Sequence, residues 1–291
     1  MHFQEYYRAK QSLIERYLDG SFRNAPDPLA SYYEMLRYPL LAGGKRLRPV
    51  LTLMVNEMLG GDETNALEAA AALELIHTYS LVHDDLPAMD DDDLRRGKPT
   101  MHVVHGEANA ILAGDALLTH AFTLIANAPL PPAAVVGIVR EVSVASGISG
   151  MVGGQFLDLE NEGKDIPFET LRTIHECKTG ALIRAAVRVG GIIGNADERT
   201  FDALTAYGEA IGLAFQIQDD ILDVTSDNAT LGKNVGSDVK NNKATYVKFF
   251  GIEGAQRKAA EAVAKAVDAL SSFKSSGYLS ALARYIIDRK S

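Results

Sequence analysis

The sequence predicts an all-α protein in which one large helical bundle surrounds a central active-site cavity. Alanine-rich amphipathic runs follow one another along the 291 residues, whereas the period-2 alternation of strands is scarce. Two aspartate clusters lie in these helix-patterned runs. Because bundles commonly build metal and cofactor sites between facing helices, both clusters are expected to reach one cavity.

Glycines and prolines separate the predicted helices, as expected for residues that end or interrupt them. No long Gly/Ser linker divides the chain, so residues 1–291 are expected to form a single domain. The predicted helices cover approximately residues 2–19, 28–41, 49–59, 64–86, 107–127, 132–146, 148–161, 168–191, 197–226, 244–250, 254–270 and 275–288.

The acidity of the chain is local. The formal net charge is −9, and the two clusters contain nine aspartates, so the rest of the chain is neutral overall. This excludes the basic character usual for nucleic-acid binding. Cys177 is the only cysteine, the N-terminus lacks the apolar core of a signal peptide, and no uninterrupted apolar run has transmembrane length. We expect a cytoplasmic protein without membrane insertion.

The second cluster, Gln218 to Asp223, lies in a strongly helical pattern. At about 100° per residue, Gln216, Asp219, Asp220 and Asp223 form one stripe. Most of the remaining helix surface is apolar. Since a helix that is apolar around most of its girth is usually buried, this polar stripe is expected to line a cavity.

The first cluster runs from His83 to Asp93 and contains Pro87. Proline disfavours helix at the residue before it, so the helix should end or kink inside the cluster. Asp90 could then return towards Asp84, although local sequence leaves Asp91 to Asp93 open as alternatives. Two arginines, Arg95 and Arg96, follow closely.

Clustered carboxylates repel one another unless a positive charge pairs with them. Mg²⁺ typically uses one or two carboxylates together with substrate phosphate oxygens, and arginine forks suit the same oxygens. The two clusters therefore predict a magnesium-bridged phosphate or diphosphate site.

Other residues point to anion binding. Lys45 and Arg48 follow Gly43-Gly44 and precede or begin an apolar helix, where free N–H groups favour anions. His77 shares a helix face with Asp84. Lys178-Thr179-Gly180 is a polar break within a helical run. Lys233 and Lys243, in a Gly- and Asn-rich stretch, could close over a phosphate or simply be solvated.

Taken together, these motifs resemble those of the trans-isoprenyl diphosphate synthases along nearly the whole chain. Asp84-Asp85-x4-Asp90 with Arg95-Arg96 resembles the first aspartate-rich motif of that family, and Asp219-Asp220-x2-Asp223 resembles the second. The further elements occur in the family's order: Gly43-Gly44-Lys45-x2-Arg48-Pro49, His77, Lys178-Thr179 and Phe215-Gln216.

The resemblance implies the all-α isoprenoid synthase fold, a homodimer and three Mg²⁺ ions, two at Asp84 and Asp90 and one at Asp219. It implies head-to-tail condensation of isopentenyl diphosphate with dimethylallyl and geranyl diphosphates through an allylic carbocation. The implied catalytic residues are Asp84, Asp85, Asp90, Arg95, Lys178, Thr179, Gln216, Asp219 and Asp220. The implied allylic diphosphate site comprises Arg95, Lys178, Thr179, Gln216, Lys233 and Lys243, and the isopentenyl diphosphate site comprises Lys45, Arg48, His77 and Arg96.

The four-residue gap in the first motif resembles the bacterial members that make farnesyl diphosphate, a C15 product. In the family, a bulky aromatic five residues before the first aspartate stops chain growth at this length. That position is Tyr79, and Ser80 follows it. The helical wheel instead places Ser80 directly below Asp84, so both are candidates for the floor of the product channel. Geranyl and geranylgeranyl diphosphates are the alternative products.

Three other functions agree less well with these residues. A class I terpene cyclase needs no second diphosphate, so Lys45, Arg48 and Arg96 argue against it. A metal phosphohydrolase suggested by His83-Asp84 should carry further metal-binding histidines, which cannot be assigned here. A non-catalytic partner subunit would be expected to have lost aspartates, whereas this chain retains both clusters.

Overall fold

The computed structural model describes residues 2–225 and 243–289. Their architecture is all-α, which confirms the predicted fold class. The helices are α1 (Phe3–Ser21), α2 (Ala30–Leu40), α3 (Leu47–Met58), α4 (Leu67–Asp84), α5 (Met101–His105), α6 (Glu107–Asn127), α7 (Pro132–Ser146), α8 (Met151–Asn161), α9 (Phe168–His175), α10 (Ala181–Ile193), α11 (Glu198–Thr225), α12 (Tyr246–Ala269) and α13 (Gly277–Asp288).

Helices α4 and α10 form the centre of the bundle. Helix α4 packs against α3 and α6, and α10 packs against α3, α7 and α11. Leu73, Leu75 and Ile76 of α4 are fully buried. Burying each such side chain stabilises the fold by about 1.5–3 kcal/mol relative to exposure. The apolar core therefore fixes the direction of α4 and the position of its C-terminal end.

Helix α4 ends at Asp84, three residues before Pro87, as the sequence predicts. The chain then turns into a short antiparallel hairpin of β1 (Leu94–Arg95) and β2 (Lys98–Pro99), followed by α5. The hairpin and α5 were not predicted, because segments this short show no usable periodicity. They place both arginines of the first motif beside the end of α4.

The helix predicted over residues 168–191 is interrupted by a π-helical turn at Glu176–Gly180, and α10 continues to Ile193. The polar segment identified in the sequence is therefore a widening of the helix rather than a break. The two predicted helices at residues 244–250 and 254–270 are assigned as α12 with a kink at Gly251, whose φ is +67°. Glycine accommodates this left-handed conformation without a Cβ clash.

Exposed apolar side chains collect along α6, α7 and α8. They include Leu112, Val136, Ile148 and Phe156, and Ile148 is 92% exposed. By length and composition alone, Glu107–Asn127 and Pro132–Asn161 could each cross a membrane. In both, however, a third or more of the apolar window is buried against the rest of the protein (39% and 33%). The other residues of these windows contribute to the exposed apolar surface of α6, α7 and α8.

Candidate active site

The first aspartate cluster lies where α4 ends. The backbone N–H of Asp90 donates to the carbonyl of Asp84 at 2.8 Å, which returns the chain to the helix end. Asp85 is buried and accepts from Nε of Arg95 at 2.8 Å, with a second contact from the same guanidinium. Arg95 also lies 3.4 Å from Asp92. Asp84, Asp85, Asp90 and Arg95 are thus brought together.

The surroundings of Asp84 disfavour its ionised form. Burial raises its pKa from 3.8 to about 6, and the nearby carboxylates of Asp90 and Asp85 act in the same direction. Lys178 and Arg95 partly oppose the increase. Because burial and like charges disfavour the ionised form, a cation at this position would be strongly favoured.

The second cluster lies near the C-terminal end of α11. Asp219 forms an ion pair with Arg289, the last described residue of the chain. Asp220 accepts from the side-chain amide of Gln216 at 3.1 Å and from the backbone N–H of Tyr246 at 2.7 Å. Asp220 therefore holds the start of α12 against α11, in addition to any part in catalysis.

The π turn presents its polar side chains to these clusters. Lys178 Nζ donates to Asp158 of α8 at 2.7 Å, and Lys243 lies 3.7 Å from the same carboxylate. Thr179 Oγ1 donates to Gln216 at 2.9 Å. Gly154 permits this close packing, because a Cβ there would overlap the backbone at Lys178. Asp158 therefore contacts both Lys178 and Lys243.

Asp158 is ionised by its neighbours. Burial alone would raise its pKa, but Lys178 and Lys243 outweigh burial and hold the pKa below its usual value. Both lysines lie within ion-pair distance of this carboxylate. A diphosphate that approached them would meet cations already in place.

A basic group, formed by Lys45, Arg48 and Arg96, lies on the loop before α3, at the start of α3 and on the hairpin. Burial lowers the pKa of Arg48 to about 10, so the guanidinium remains protonated at neutral pH. Arg96 donates to the carbonyl of Gly43, and its guanidinium lies against Gly44, where a Cβ would overlap it. Lys45 Nζ lies 5.7 Å from the centroid of the Phe215 ring.

His77 lies deep within this basic group. Burial lowers its pKa well below 6.5, and the charges of Arg48 and Arg96 lower it further. At neutral pH the imidazole is therefore neutral, and it can offer an N–H to an anion without adding to the positive charge.

Charged residues from different parts of the site lie within electrostatic reach of one another. Asp219 acts on the charge of Arg48, and Lys178 acts on the charge of Asp84. Lys45 Nζ lies over the ring of Phe215, and the guanidinium carbon of Arg289 lies 4.2 Å from the centroid of the same ring. Two cations that are distant in sequence thus lie over one ring of α11, close to the second cluster.

Tyr79 and Ser80 lie on α4 before the first cluster. Tyr79 is buried, and its ring meets that of His83 edge to face at 5.8 Å. Burial raises the pKa of Tyr79, and the charge of Asp84 contributes. Ser80 Oγ is satisfied by the carbonyl of His77 at 2.9 Å. Tyr79 is therefore the bulkier of the two groups near Asp84.

The donor set fits Mg²⁺. Both carboxylate oxygens of Asp223 are buried and have no hydrogen-bond partner in the described parts of the chain. Within those residues, no three acidic, histidine or cysteine side chains converge into a complete ligand set. Mg²⁺ takes one or two protein carboxylates and completes its octahedron with water and substrate phosphate, and the buried oxygens of Asp223 could supply one such ligand.

Some outcomes differ from the sequence analysis. Lys233 lies outside the described residues. Arg46 and Glu74 were not identified as site residues, and both are buried charged side chains beside the basic group. Glu74 lies three residues before His77, and a glutamate within an otherwise apolar helical run was the available signal. Asp158 is the partner of two of the expected lysines.

The protein is all-α, and its site brings carboxylates and cations together from distant parts of the chain. The family profile described as Polyprenyl synthetase matches residues 30–281. Farnesyl diphosphate synthase of Escherichia coli (strain K12) is 50% identical over 291 residues, covering 97% of this chain and 95% of that protein. Geranylgeranyl diphosphate synthase of Cyanophora paradoxa is 48% identical over 261 residues, covering 88% and 87%.

A solved structure has the same fold. A geranyltransferase from Helicobacter pylori, described as complexed with magnesium and isoprenyl diphosphate, superposes with a TM-score of 0.90 at 33% identity, covering 99% of each chain. The chain belongs to the polyprenyl synthetase family. This confirms the family that the aspartate motifs predicted.

Proposed function

We propose that this chain is a magnesium-dependent prenyltransferase that condenses isopentenyl diphosphate with dimethylallyl and then geranyl diphosphate to give farnesyl diphosphate. The similarity to farnesyl diphosphate synthases at 45–50% identity over nearly the full chain carries this proposal. The retention of both aspartate clusters, opposite a separate basic group, supports two diphosphate sites rather than one.

The allylic diphosphate is assigned to the side of the cavity where Arg95, Lys178 and Lys243 lie. Their charges complement its oxygens. Mg²⁺, as three ions bound by Asp84, Asp90 and Asp219, would draw electron density from this diphosphate and make it a better leaving group. Lys178 and Lys243 are already collected at Asp158, so little reordering of side chains is needed when the anion binds.

Isopentenyl diphosphate is assigned to Lys45, Arg48, His77 and Arg96. Arginine provides a planar fork for two phosphate oxygens, and lysine provides a point charge. Neutral His77 adds a hydrogen bond. Holding this substrate by its charged end directs its double bond towards the allylic carbon, which converts a collision of two molecules into a reaction within one complex.

In the reaction, the allylic C–O bond breaks and its electron pair leaves with the diphosphate. The π electrons of isopentenyl diphosphate then form the new C–C bond, and loss of a proton from the adjacent carbon restores a double bond. We assign the proton to the released diphosphate. The Thr179 hydroxyl, the Gln216 amide oxygen and the Lys178 carbonyl supply dipoles that stabilise the cation where water is excluded.

Incubation with isopentenyl diphosphate, an allylic diphosphate and Mg²⁺, followed by mass spectrometry of the products, tests the proposal. We expect farnesyl diphosphate from either dimethylallyl or geranyl diphosphate, and no prenyl product after chelation of the metal. A hydrocarbon formed without isopentenyl diphosphate would instead indicate a terpene cyclase. Geranylgeranyl diphosphate as the main product would favour the second candidate, which the 48% identity to the Cyanophora enzyme supports.

We also propose that the chain is a cytoplasmic homodimer. A contiguous apolar surface larger than a few hundred Å² is uncommon on monomers, and exposed apolar residues on α6, α7 and α8 are candidates to be covered by a second copy. Light scattering coupled to size exclusion should give twice the chain mass of 31.4 kDa. Phe156→Glu together with Val152→Glu should give the monomer, whereas a dimeric double variant would exclude this face.

A further inference from the structure

The loop that carries the basic group is held from several sides. The carbonyl of Lys45 accepts from Tyr7 Oη at 2.7 Å and from Gln11 Nε2 at 2.8 Å, both on α1. On the other side, Arg96 donates to the carbonyl of Gly43. Gly44, with a φ of +133°, leaves room for this guanidinium. These contacts fix the backbone of the loop, but they do not offset the positive charges of its side chains.

Arg46 lies in the same loop, yet its side chain is directed into the protein. Its φ is +52°, a left-handed conformation, and it is the residue from which α3 begins. Nη1 donates to Glu74 of α4 at 2.7 Å, with side chains only 1% and 2% exposed. Nη2 donates to the carbonyl of Leu40 at the end of α2. One side chain therefore joins α2, α3 and α4.

Glu74 is the carboxylate that acts most strongly on Arg48 and Arg96. It lies three residues before His77 on α4, so both face the same side of that helix. Burial lowers the pKa of Arg48 and of Arg96, and in both cases Glu74 is the largest influence in the opposite direction. A carboxylate buried among arginines keeps those arginines charged and close together while no anion is bound.

We propose that Arg46 and Glu74 are positioning residues for isopentenyl diphosphate: they hold the Gly43–Arg48 loop and the facing arginines in the arrangement that binds its diphosphate. The inference rests on the proposed function and adds to it two residues that do not touch the substrate. Like-charged side chains this close would otherwise separate. A site assembled beforehand also loses less side-chain freedom when the ligand binds.

A positioning role and a purely electrostatic role of Glu74 predict opposite effects of Glu74→Gln on diphosphate binding. If Glu74 only adds negative charge near the substrate, its removal should strengthen diphosphate binding. If it positions the arginines, its removal should weaken binding despite the lost repulsion. We expect the KM for isopentenyl diphosphate to rise about 10-fold, in the range for losing a hydrogen bond to a charged group. The KM for the allylic diphosphate and kcat at saturation should change less than 2-fold.

Glu141→Gln is the matched control. It removes the carboxylate that accepts from Arg188 Nε at 2.8 Å, in a partly buried ion pair between α7 and α10. We expect both KM values to remain at the wild-type level. In a double variant, Arg46→Gln with Glu74→Gln, the effect should not exceed that of the more impaired single variant, because the two residues act as one unit.

Calorimetric titration with inorganic diphosphate in the absence of metal separates this inference from the proposed function. Weaker binding by Glu74→Gln supports positioning, even if the wild type forms no prenyl product, in which case only the proposed function fails. Equal or tighter binding by a folded Glu74→Gln overturns the inference. If that variant does not fold, Arg46→Lys, which keeps the charge and loses the fork, should show the same selective increase in KM, and an unchanged KM refutes the inference.

Discussion

Arg289 and Asp219 form an ion pair that connects the end of α13 to the second aspartate cluster. The guanidinium also stacks on Phe215, with its carbon 4.2 Å from the ring centroid, and donates to the carbonyl of that residue at 3.2 Å. Its side chain is 3% exposed. A protein cation therefore occupies one side of a carboxylate that we assign to Mg²⁺.

The first prediction is that Arg289 and Mg²⁺ compete for the carboxylate of Asp219. Arg289→Met should retain the packing on Phe215 and lower the Mg²⁺ concentration needed for half-maximal binding 2- to 10-fold, because Asp219 loses its internal cation. Calorimetric titration with Mg²⁺ in the presence of inorganic diphosphate measures this. Arg284→Met, an exposed arginine on the same helix, should behave as wild type. An unchanged or higher Mg²⁺ requirement for Arg289→Met would contradict the competition.

The second prediction concerns the aspartates. Asp84→Ala and Asp219→Ala should each reduce kcat by two or more orders of magnitude while circular dichroism shows an intact fold, because their charge serves ionisation of the substrate rather than folding. Asp93→Ala is the control, since its side chain is exposed at the far end of the first cluster. Turnover near the wild-type level for Asp84→Ala at saturating Mg²⁺ would remove that residue from the mechanism.

The third prediction separates the two diphosphate sites. Arg48→Ala should mainly raise the KM for isopentenyl diphosphate, and Lys178→Ala should mainly impair binding or ionisation of the allylic substrate. Each loses one charge-assisted contact, which costs about 1.5–3 kcal/mol, or roughly a 10- to 150-fold change. Steady-state kinetics with each substrate varied in turn gives the comparison. Equal impairment of the same substrate in both variants would show that the assignment is wrong.

The fourth prediction concerns pH. Burial lowers the pKa of His175 from 6.5 to about 4, while Lys178 opposes its protonation and Asp158 favours it. Between these pKa values the unfolded chain binds the proton more readily, so the free energy of unfolding falls as pH decreases. The shift corresponds to a loss of about 2 kcal/mol between pH 7.5 and 5.

His175→Phe keeps a ring to stack on Tyr246, which lies 5.6 Å away between centroids, and removes the titration. Chemical denaturation at several pH values should show a shallower loss of stability between pH 7.5 and 5 than in the wild type. The free energy of unfolding of the wild type should fall relative to that of the variant by about 2 kcal/mol over this range, whatever constant difference the substitution introduces. Parallel pH profiles would show that His175 is not the group responsible.

The fifth prediction concerns product length. Tyr79→Met should shift the product from C15 towards C20 or longer while both substrates are still consumed, because the ring beside Asp84 is removed from the end of the channel. Tyr79→Phe keeps the ring and should retain C15. Mass spectrometry of the products decides the matter: an active Tyr79→Met variant that still stops at C15 would mean that another residue forms the floor.

The sequence was most informative where local chemistry decides structure. Pro87 predicted the end of α4, and the spacing of Asp219 and Asp223 predicted a helical polar stripe. Arg46 and Glu74 escaped notice because each belongs to a different predicted helix or loop, and only packing brings them together. Arg289 is 70 residues from its partner, and no local pattern encodes such a distance. Long-range charge pairs of this kind require the tertiary fold.

The π turn at Glu176–Gly180 also makes chain length a constraint here. A π turn accommodates one residue more than an α-helix would over the same path. Deleting one residue from it would restore α-helical bonding and keep the register of α10, but it would change the direction of the side chains within the turn itself. Lys178 and Thr179 would leave Asp158 and Gln216, whereas the buried face of α10 would still pack against α3. Natural and engineered variants should therefore accept substitutions in this turn more readily than insertions or deletions.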